Sequence, residues 1–484
     1  MSAPGIRAGE DAHDLDVEEA LALVKRPHGR PPGRSPGDQV PAPAPKDART
    51  AAQGTAPTAP RPDAHHRATP WPEARATAER AGRTARATAE RADHAGRTAD
   101  ATTATRRPSA SVPLDAALGL ILAAPLAALT DLPSFDTSAM DGWAVAGPGP
   151  WALRDEGVLA GGRDPARLAD GEAVRIATGA RIPPDTTAVL RSEHGRTDDN
   201  GRLHPTGDVG HGQDIRPRAQ ECRTGDQLLP AGTLVTPAVL GLAAAAGYDT
   251  LTVVPRPRVD VLILGDELLT EGLPHDGLIR DALGPMLPPW LRALGTEVLS
   301  VRRLGDEAEA LHRAITGSEA DLVVTTGGTA AGPVDHVHPT LRRIGAKLLI
   351  DGVKVRPGHP MLLARTREDQ YLVGLPGNPL AAVSGLLTLA EPLLRALGGR
   401  PAGERYALPL KDGAHGHPYD TRLIPVTLRG DRAVPLHYNG PAMLRGVAAA
   451  DALAVVPPGG AEPGQATEIL DLPWATAGTG GCFT

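Results

Sequence analysis

Four short loops, each expected at a strand end within residues 258–397, hold the residues whose types and spacing suit chemistry. Gly265-Asp266-Glu267-Leu268 directly follows the apolar run RVDVLIL, Arg258–Leu264. Two acids at a strand end suit a divalent cation, or an anionic ligand held through one. They suit the cap of a turn equally well. Thr325-Thr326-Gly327-Gly328-Thr329 follows a second apolar run, with Gly332 and Asp335 beyond it. A glycine-rich turn leaving a buried strand presents backbone N–H groups to phosphate or another oxyanion. No Gly-Lys-Ser/Thr follows, so this is not a P-loop, and the spacing is not that of a dinucleotide turn. Asp335 has two readings: the cap of the next helix, the commoner one, or a carboxylate holding magnesium against phosphates. His336 and His338 stand two apart, share no helix face and are read as non-ligands. The third loop, Val355-Arg356-Pro357-Gly358-His359-Pro360, is stiffened by two prolines. Its guanidinium suits bidentate contact with an oxyanion, although on these residues alone a surface turn is favoured. In the fourth, Leu375-Pro376-Gly377-Asn378-Pro379, Asn378 at the N-cap and Pro379 after it fit a helix start. The N–H groups there can face an anion, and capping alone also accounts for them. Several anion-friendly loops on one domain point to a phosphate-bearing ligand.

These loops need strands and helices to aim them. Residues 258–397 alternate: strand Arg258–Leu264, helix 285–294, the segment EVLSVRRL, helix 307–316, strand 321–326, helix 336–344, strand 371–375 and helix 379–397. Strands alternating with helices predict a doubly wound α/β domain with its ligand at the carboxyl ends of the strands. Residues 143–254 carry short apolar segments between Gly, Pro and Asp, which predicts a β-rich domain; short β segments recur after Gly399. The fold class expected is therefore multidomain α/β plus β: a central doubly wound α/β domain, a β-rich inserted domain and a small C-terminal β domain. Leu114–Leu129 predicts a helix from Pro113 to Leu122, then a turn at Pro125. Asp16–Lys25 predicts a short amphipathic helix. Between them, residues 28–110 are rich in Pro, then Ala, Arg, Thr and Glu. ARATAERA occurs at Ala74–Ala81 and again at Ala85–Ala92. With alanine as the only apolar residue of the repeat, the expectation is a solvated insertion, partly helical or largely disordered.

The 484 residues carry 50 Lys plus Arg against 57 Asp plus Glu, a formal charge of −7. That balance argues against bulk-charge binding to nucleic acid. The cysteines, Cys222 and Cys482, are too few for a disulfide framework or a four-thiolate zinc site. Neither a secretory leader nor an apolar run near the ~20 residues of a membrane span is expected. A cytoplasmic protein is the expectation.

Several motifs also carry a resemblance. LPSFDTSAMDGWAV (Leu132–Val145), VRIATGARIP (Val174–Pro183), GDEL (Gly265–Leu268), TTGGTAAGPVD (Thr325–Asp335), VRPGHP (Val355–Pro360) and GLPGNPLAAV (Gly374–Val383) match in order and spacing. In these the chain resembles the molybdopterin molybdenumtransferase family, the bacterial MoeA type related to the E domain of gephyrin. The resemblance implies a molybdopterin-binding α/β domain at 257–400, a β-rich domain at 137–219, a linker and dimerisation domain at 111–136 with 220–256, and a C-terminal β domain at 401–476. Around them lie a disordered 1–12, a core helix within 13–27, the insertion 28–110 and a tail, 477–484. It implies an elongated homodimer, with a molybdopterin adenylyltransferase as a further partner. The implied reaction inserts molybdate into adenylyl-molybdopterin, with hydrolysis of the adenylyl bond, release of AMP and help from Mg2+. By motif match Asp335 is the magnesium-linked carboxylate. Arg356 and His359 stand at the molybdate side, and Gly327, Gly328 and Thr329 cradle the ligand. Glu267 and Asp281 line the cleft, Gly377 and Asn378 border it, and Asp141 and Thr178 reach it from the neighbouring subunit.

The chain departs from the family pattern in places. Ile263-Leu264 replaces Ser-Thr before the GDEL motif, and Asp281-Ala282-Leu283 replaces Asp-Ser-Asn. Thr329-Ala330-Ala331 replaces Val-Ser-Val, and Arg356 and His359 replace two lysines. An ordinary imidazole is charged only below about pH 6.5. These changes leave a second expectation beside the enzyme: a catalytically weakened or regulatory paralogue that binds molybdopterin or a partner.

Overall fold

The apolar run Arg258–Leu264 forms a strand over those same residues, β1, inside a six-stranded sheet. The computed structural model describes residues 68–94, 108–162, 164–329 and 335–474. The helix expected at Asp16–Lys25 lies outside them. The other strands of this sheet are β2 (Glu297–Leu304), β3 (Leu322–Thr326), β4 (Lys347–Asp351), β5 (Leu362–Arg365) and β6 (Tyr371–Leu375). Helices along the chain are α1 (Trp71–His94), α2 (Pro237–Ala245), α3 (Leu283–Ala293), α4 (Ala308–Thr316), α5 (Val337–Arg343), α6 (Pro379–Gly385) and α7 (Glu391–Leu397).

Spatial order in the sheet is β2-β1-β3-β6-β5-β4. β2, β1, β3 and β6 are parallel; β5 is antiparallel to both of its neighbours, β6 and β4. From β1 the chain goes first to one side, to β2, then returns past β1 to β3. The reversal opens a crevice beyond the carboxyl ends of β1 and β3, where sheets of this kind bind ligands. Successive β1 residues feed opposite cores, as strand geometry requires. Val261 and Ile263 pack with Leu287 and Leu291 of α3, whereas Leu262 packs with Leu311 and Ile315 of α4 and Leu341 of α5. α6 and α7 are joined through a π-helical turn, Leu386–Ala390. Pro379–Leu397 as a whole is 19 residues long and apolar enough by composition to cross a membrane, but 94% of it is buried inside the protein.

Three expectations are corrected. First, residues 71–94 take the helical alternative, and the helix is packed onto the core rather than solvated. Trp71 anchors it: the side chain is buried and its Nε1–H donates to Thr388 Oγ1 at 3.0 Å. Ala74 and Ala78 are fully buried, and Ala81 and Ala85 pack against the same core. At Gly82 even a methyl group would meet Leu393 O at 2.6 Å and Ala396 Cβ at 2.8 Å. A seam of small residues at helical spacing lets two helix backbones approach closely. Alanine contributes little area by itself, so composition conceals a seam whose value depends on the surface it meets. Arg75 Nη1–H donates to Leu387 O within the π turn, where the regular ladder of carbonyls is interrupted.

Second, no helix forms over Pro113–Leu122. Ala110–Pro113 and Ile121–Leu122 are strands on either side of Thr250–Val254, with only a single 3-10 turn, Leu114–Ala116, between them. Gly119, at φ +75°, breaks the helical path, and pairing with a distant strand replaces local propensity. This small domain also holds α2 and a core of Leu122, Val239, Leu251 and Val253. The six-stranded β-rich domain leaves and re-enters it side by side, where Leu132 N–H donates to Cys222 O at 2.9 Å.

Third, the Arg356 loop does not end a strand of the α/β sheet. Gly352, at φ +81°, turns the chain out after β4. Val353–Arg356 then joins the C-terminal sheet, pairing in parallel with Thr69–Pro70 and with Thr421–Arg422.

Candidate functional site

The crevice is built by the chain that follows β1, β2, β3 and β6. In register, Ile263 of β1 lies beside Thr326 of β3, and Thr326 beside Leu375 of β6, so the loops that follow start level with one another. Gly327 and Gly328, at φ +75° and +63°, make the reversal after β3. L-residues with a Cβ rarely adopt this region, which explains the paired glycines. The Gly327 N–H donates to Leu375 O at 2.8 Å, so it ties two loops together and is not offered to an anion. Thr329 is buried, and its Cγ2 would stand 2.7 Å from a Cβ at Gly374. Its side chain packs against β6.

Acids gather on the β1–β2 side. Asp266 Oδ2 accepts from the Asp306 N–H at 3.4 Å. The Asp306 carbonyl is in turn 3.1 Å from His336 Nε2, and His336 follows Asp335. That sequence of contacts ties His336, at the start of α5, to the loops carrying Asp306 and Asp266. The residue at the N-cap of α5 is His336, with no side-chain cap bond, and Asp335 stands directly before it. Asp281 is buried at the start of α3. Its Oδ1 accepts from Gly284 N–H at 2.8 Å, and its Oδ2 from Arg303 Nη2 at 2.6 Å. Arg303 ends β2, and sequence reading missed it. Its signal was the alternation of EVLSVRRL, which turns every second residue to one face.

The Arg356 loop forms a second cluster beside α6. A Cβ at Gly358 (φ +117°) would lie 3.1 Å from Ala381 O and 3.2 Å from Ser384 Cβ, so the loop rests directly on that helix. Arg356 Nε–H donates to the fully buried Asp420 at 2.8 Å. His359 Nδ1 is 2.9 Å from Val353 O. A carbonyl only accepts, so Nδ1 carries the proton. Arg422 is the register partner of Arg356 and donates to Asn439 Oδ1 at 2.9 Å. Two guanidiniums on neighbouring strands repel unless an anion is near. Asp420, Arg422 and Asn439 escaped sequence reading because they come from the C-terminal domain, 60 or more residues downstream of Arg356. The anion reading of the fourth loop is corrected. Asn378 makes no side-chain cap bond, and the Leu380 and Ala381 N–H groups both donate to Pro441 O, at 2.9 and 3.2 Å.

Asp141 and Thr178 hold each other. Asp141 Oδ1 accepts from the Thr178 N–H at 2.6 Å and from its hydroxyl at 2.9 Å. These two donors hold the Asp141 carboxyl below the usual carboxylate range. Asp141 lines a hollow of about 330 Å³ with Trp143, Val158, Leu159 and Arg175, wholly within the β-rich domain. Within one chain, that hollow shares no lining residue with the crevice.

Comparison with known proteins agrees with this architecture. Residues 83–247 match the MoeA N-terminal region (domain I and II), 260–396 a probable molybdopterin binding domain, and 407–472 the MoeA C-terminal region (domain IV). The molybdopterin molybdenumtransferase of a Nostoc strain is 34% identical over 306 residues, covering 60% of this chain and 70% of that protein. The chain belongs to the molybdopterin molybdenumtransferase family. The Staphylococcus aureus transferase is 28% identical over 386 residues, covering 75% of this chain and 91% of that protein. The crystal structure of the molybdopterin biosynthesis MoeA protein from Pyrococcus horikoshii superimposes with a TM-score of 0.63 at 27% identity, over 75% of this chain and 94% of that one. The transferase family thus accounts for the β-rich, central α/β and C-terminal β parts together.

Proposed function

We propose that this enzyme of molybdenum cofactor biosynthesis inserts molybdate into adenylyl-molybdopterin. Water cleaves the adenylyl phosphoanhydride, AMP leaves, and the two dithiolene sulfurs displace an oxo group of molybdate, which takes up two protons and leaves as water. The observation that carries the reading is that Asp266, Glu267 and the Asp281–Arg303 pair stand on the chain around the carboxyl ends of β1 and β2, where the sheet reverses, and that His336, next to Asp335, reaches Asp306 there. Relatives named molybdopterin molybdenumtransferase favour the enzyme over a non-catalytic paralogue.

The donor set fits Mg2+. That ion keeps several waters and needs only one or two protein carboxylates beside substrate phosphates, and no cluster of three metal-ligating side chains occurs among the described residues. Asp335 with Glu267 would hold it, and when bound it supplies polarisation of a phosphoryl oxygen. Asp281 orients Arg303 toward the same edge, where a guanidinium suits the phosphate link. Arg356, with Arg422 in register beside it and the His359 imidazole on the loop over α6, offers guanidinium and imidazole groups for a tetraoxyanion such as molybdate. Asp141 and Thr178 serve the crevice of a second copy in a homodimer. A molybdopterin adenylyltransferase, acting just before, is the natural supplier of the substrate.

The test is AMP release from adenylyl-molybdopterin with molybdate and Mg2+. Molybdate-dependent AMP is expected from the parent, and its loss from Asp335→Asn with an unchanged melting curve. Parent protein that forms no AMP would remove the transferase reading; full turnover by the variant would remove Asp335 from it.

A further inference from the structure

The correction at residues 71–94 exposes a feature unrelated to the crevice. Between α1 and the chain following α7 lies a cavity of about 320 Å³, within the size range of small-ligand sites. Arg75, Arg83 and Arg86 line it from α1, and Arg395, Arg400 and Arg405 from the other side. Only one carboxylate, Glu79, shares the lining, in a chain of net charge −7.

Among the described residues the cluster keeps an excess of positive charge. Glu79 pairs with Arg83, Glu90 with Arg86 at 2.7 Å, and Glu391 with Arg395. Glu391 and Glu468 act on Arg75, while Arg395 and Arg405 oppose them; Arg256 and Arg395 press on Arg400. Guanidiniums outnumber carboxylates in this group. Arg75 and Arg400 are both held below the usual arginine range, burial being the larger cause and neighbouring arginines adding to it.

The arrangement is also braced. Arg75 is fixed by the Leu387 carbonyl, and Arg400 donates to Gly119 O at 3.3 Å. Glycines make room for the charged ends: a Cβ at Gly399 would lie 2.7 Å from Arg86 Nη1, and one at Gly403 would lie 3.2 Å from Arg395 Nη1. Fixed, converging guanidiniums favour a ligand with several oxyanion groups, because each planar fork binds phosphate oxygens in pairs. Pro392, the lining residue of this helix nearest to Asn378, lies 14 residues beyond it along the helical run Pro379–Leu397, about 21 Å at 1.5 Å per residue.

We propose that this cavity binds a small anion carrying two or more linked phosphates, at a site separate from the crevice. The probe is inorganic pyrophosphate, titrated calorimetrically into the full-length protein beside orthophosphate and ADP. Saturable one-to-one binding of pyrophosphate is expected, with ADP similar and orthophosphate weaker. Arg83→Glu and Arg405→Glu should each weaken it by about tenfold, as loss of a charge-assisted contact does, and leave AMP release by the enzyme unchanged. If either reversal disturbs the near-ultraviolet circular dichroism, Arg83→Gln and Arg405→Gln replace it, with a smaller weakening expected. The proposal is overturned by absence of saturable pyrophosphate binding at millimolar concentration, by affinity equal to the parent's in both folded variants, or by ADP binding where pyrophosphate does not.

Discussion

Asp281 and Arg303 meet at 2.6 Å across the start of α3 and the end of β2, and Asp281 at the same time caps Gly284 at 2.8 Å. The acid expected to face a ligand is thus occupied by its own scaffold, and Arg303 is the group it presents. Asp281→Ala leaves a buried N–H without its acceptor and a guanidinium without its partner. Loss of about 1–3 kcal/mol of stability is expected, read as a lower denaturation midpoint. A variant as stable as the parent but with a raised KM would instead make Asp281 a direct ligand contact.

Trp71 is the test of α1. It is 3% exposed and hydrogen-bonded to Thr388. Trp71→Ala should cost about 3–5 kcal/mol, and removal of residues 71–94 should leave a poorly folded chain. Unaltered thermal unfolding of the Trp71 variant would return this segment to the status of a dispensable insertion.

At Arg356 the partner matters more than the loop. Asp420 is fully buried, so Arg356→Ala takes the guanidinium away from a buried carboxylate and leaves it the weaker contact with His417 at 3.4 Å, at a cost of about 1–3 kcal/mol. Arg356→Lys keeps the charge and should restore most of that stability. It should still lower molybdate-dependent AMP release, because an ammonium lacks the planar fork. Equal activity in the Lys variant would show that a point charge suffices there.

Acid should loosen the β-rich domain before the α/β domain. Asp141 is held low by Thr178, Asp198 by the Arg202 N–H and then His204, and Asp214 by Arg191. For a carboxyl depressed in the folded state, the stabilisation is fully present above its unfolded value, about pH 4, and is lost as pH falls through the folded value. Hydrogen exchange followed from pH 6 downward should therefore show protection failing in residues 137–219 as the pH drops below about 4. Uniform loss over the whole chain, or loss beginning above about pH 5, would contradict this.

The central sheet was legible because its information is local. RVDVLIL is apolar on both faces, and the chain folds it into a strand buried on both faces, with glycine and acid at its end. The same holds for Leu322–Thr326 and Tyr371–Leu375, and the crevice loops follow directly from them. What sequence alone determined, then, was the α/β pattern, the family motifs and most crevice residues. Tertiary structure decided the rest. The alanine seam of α1 gains value only against Leu393 and Ala396; Pro113–Leu122 becomes strand only because Thr250–Val254 lies between its ends; and Val353–Arg356 leaves one sheet for another after Gly352. Arg303 and Arg422 acquire meaning from partners 22 and 17 residues away, Asp281 and Asn439. The physical reason is common to all of these: a small or charged side chain contributes according to what it touches, and spacing along the chain encodes only its nearest neighbours.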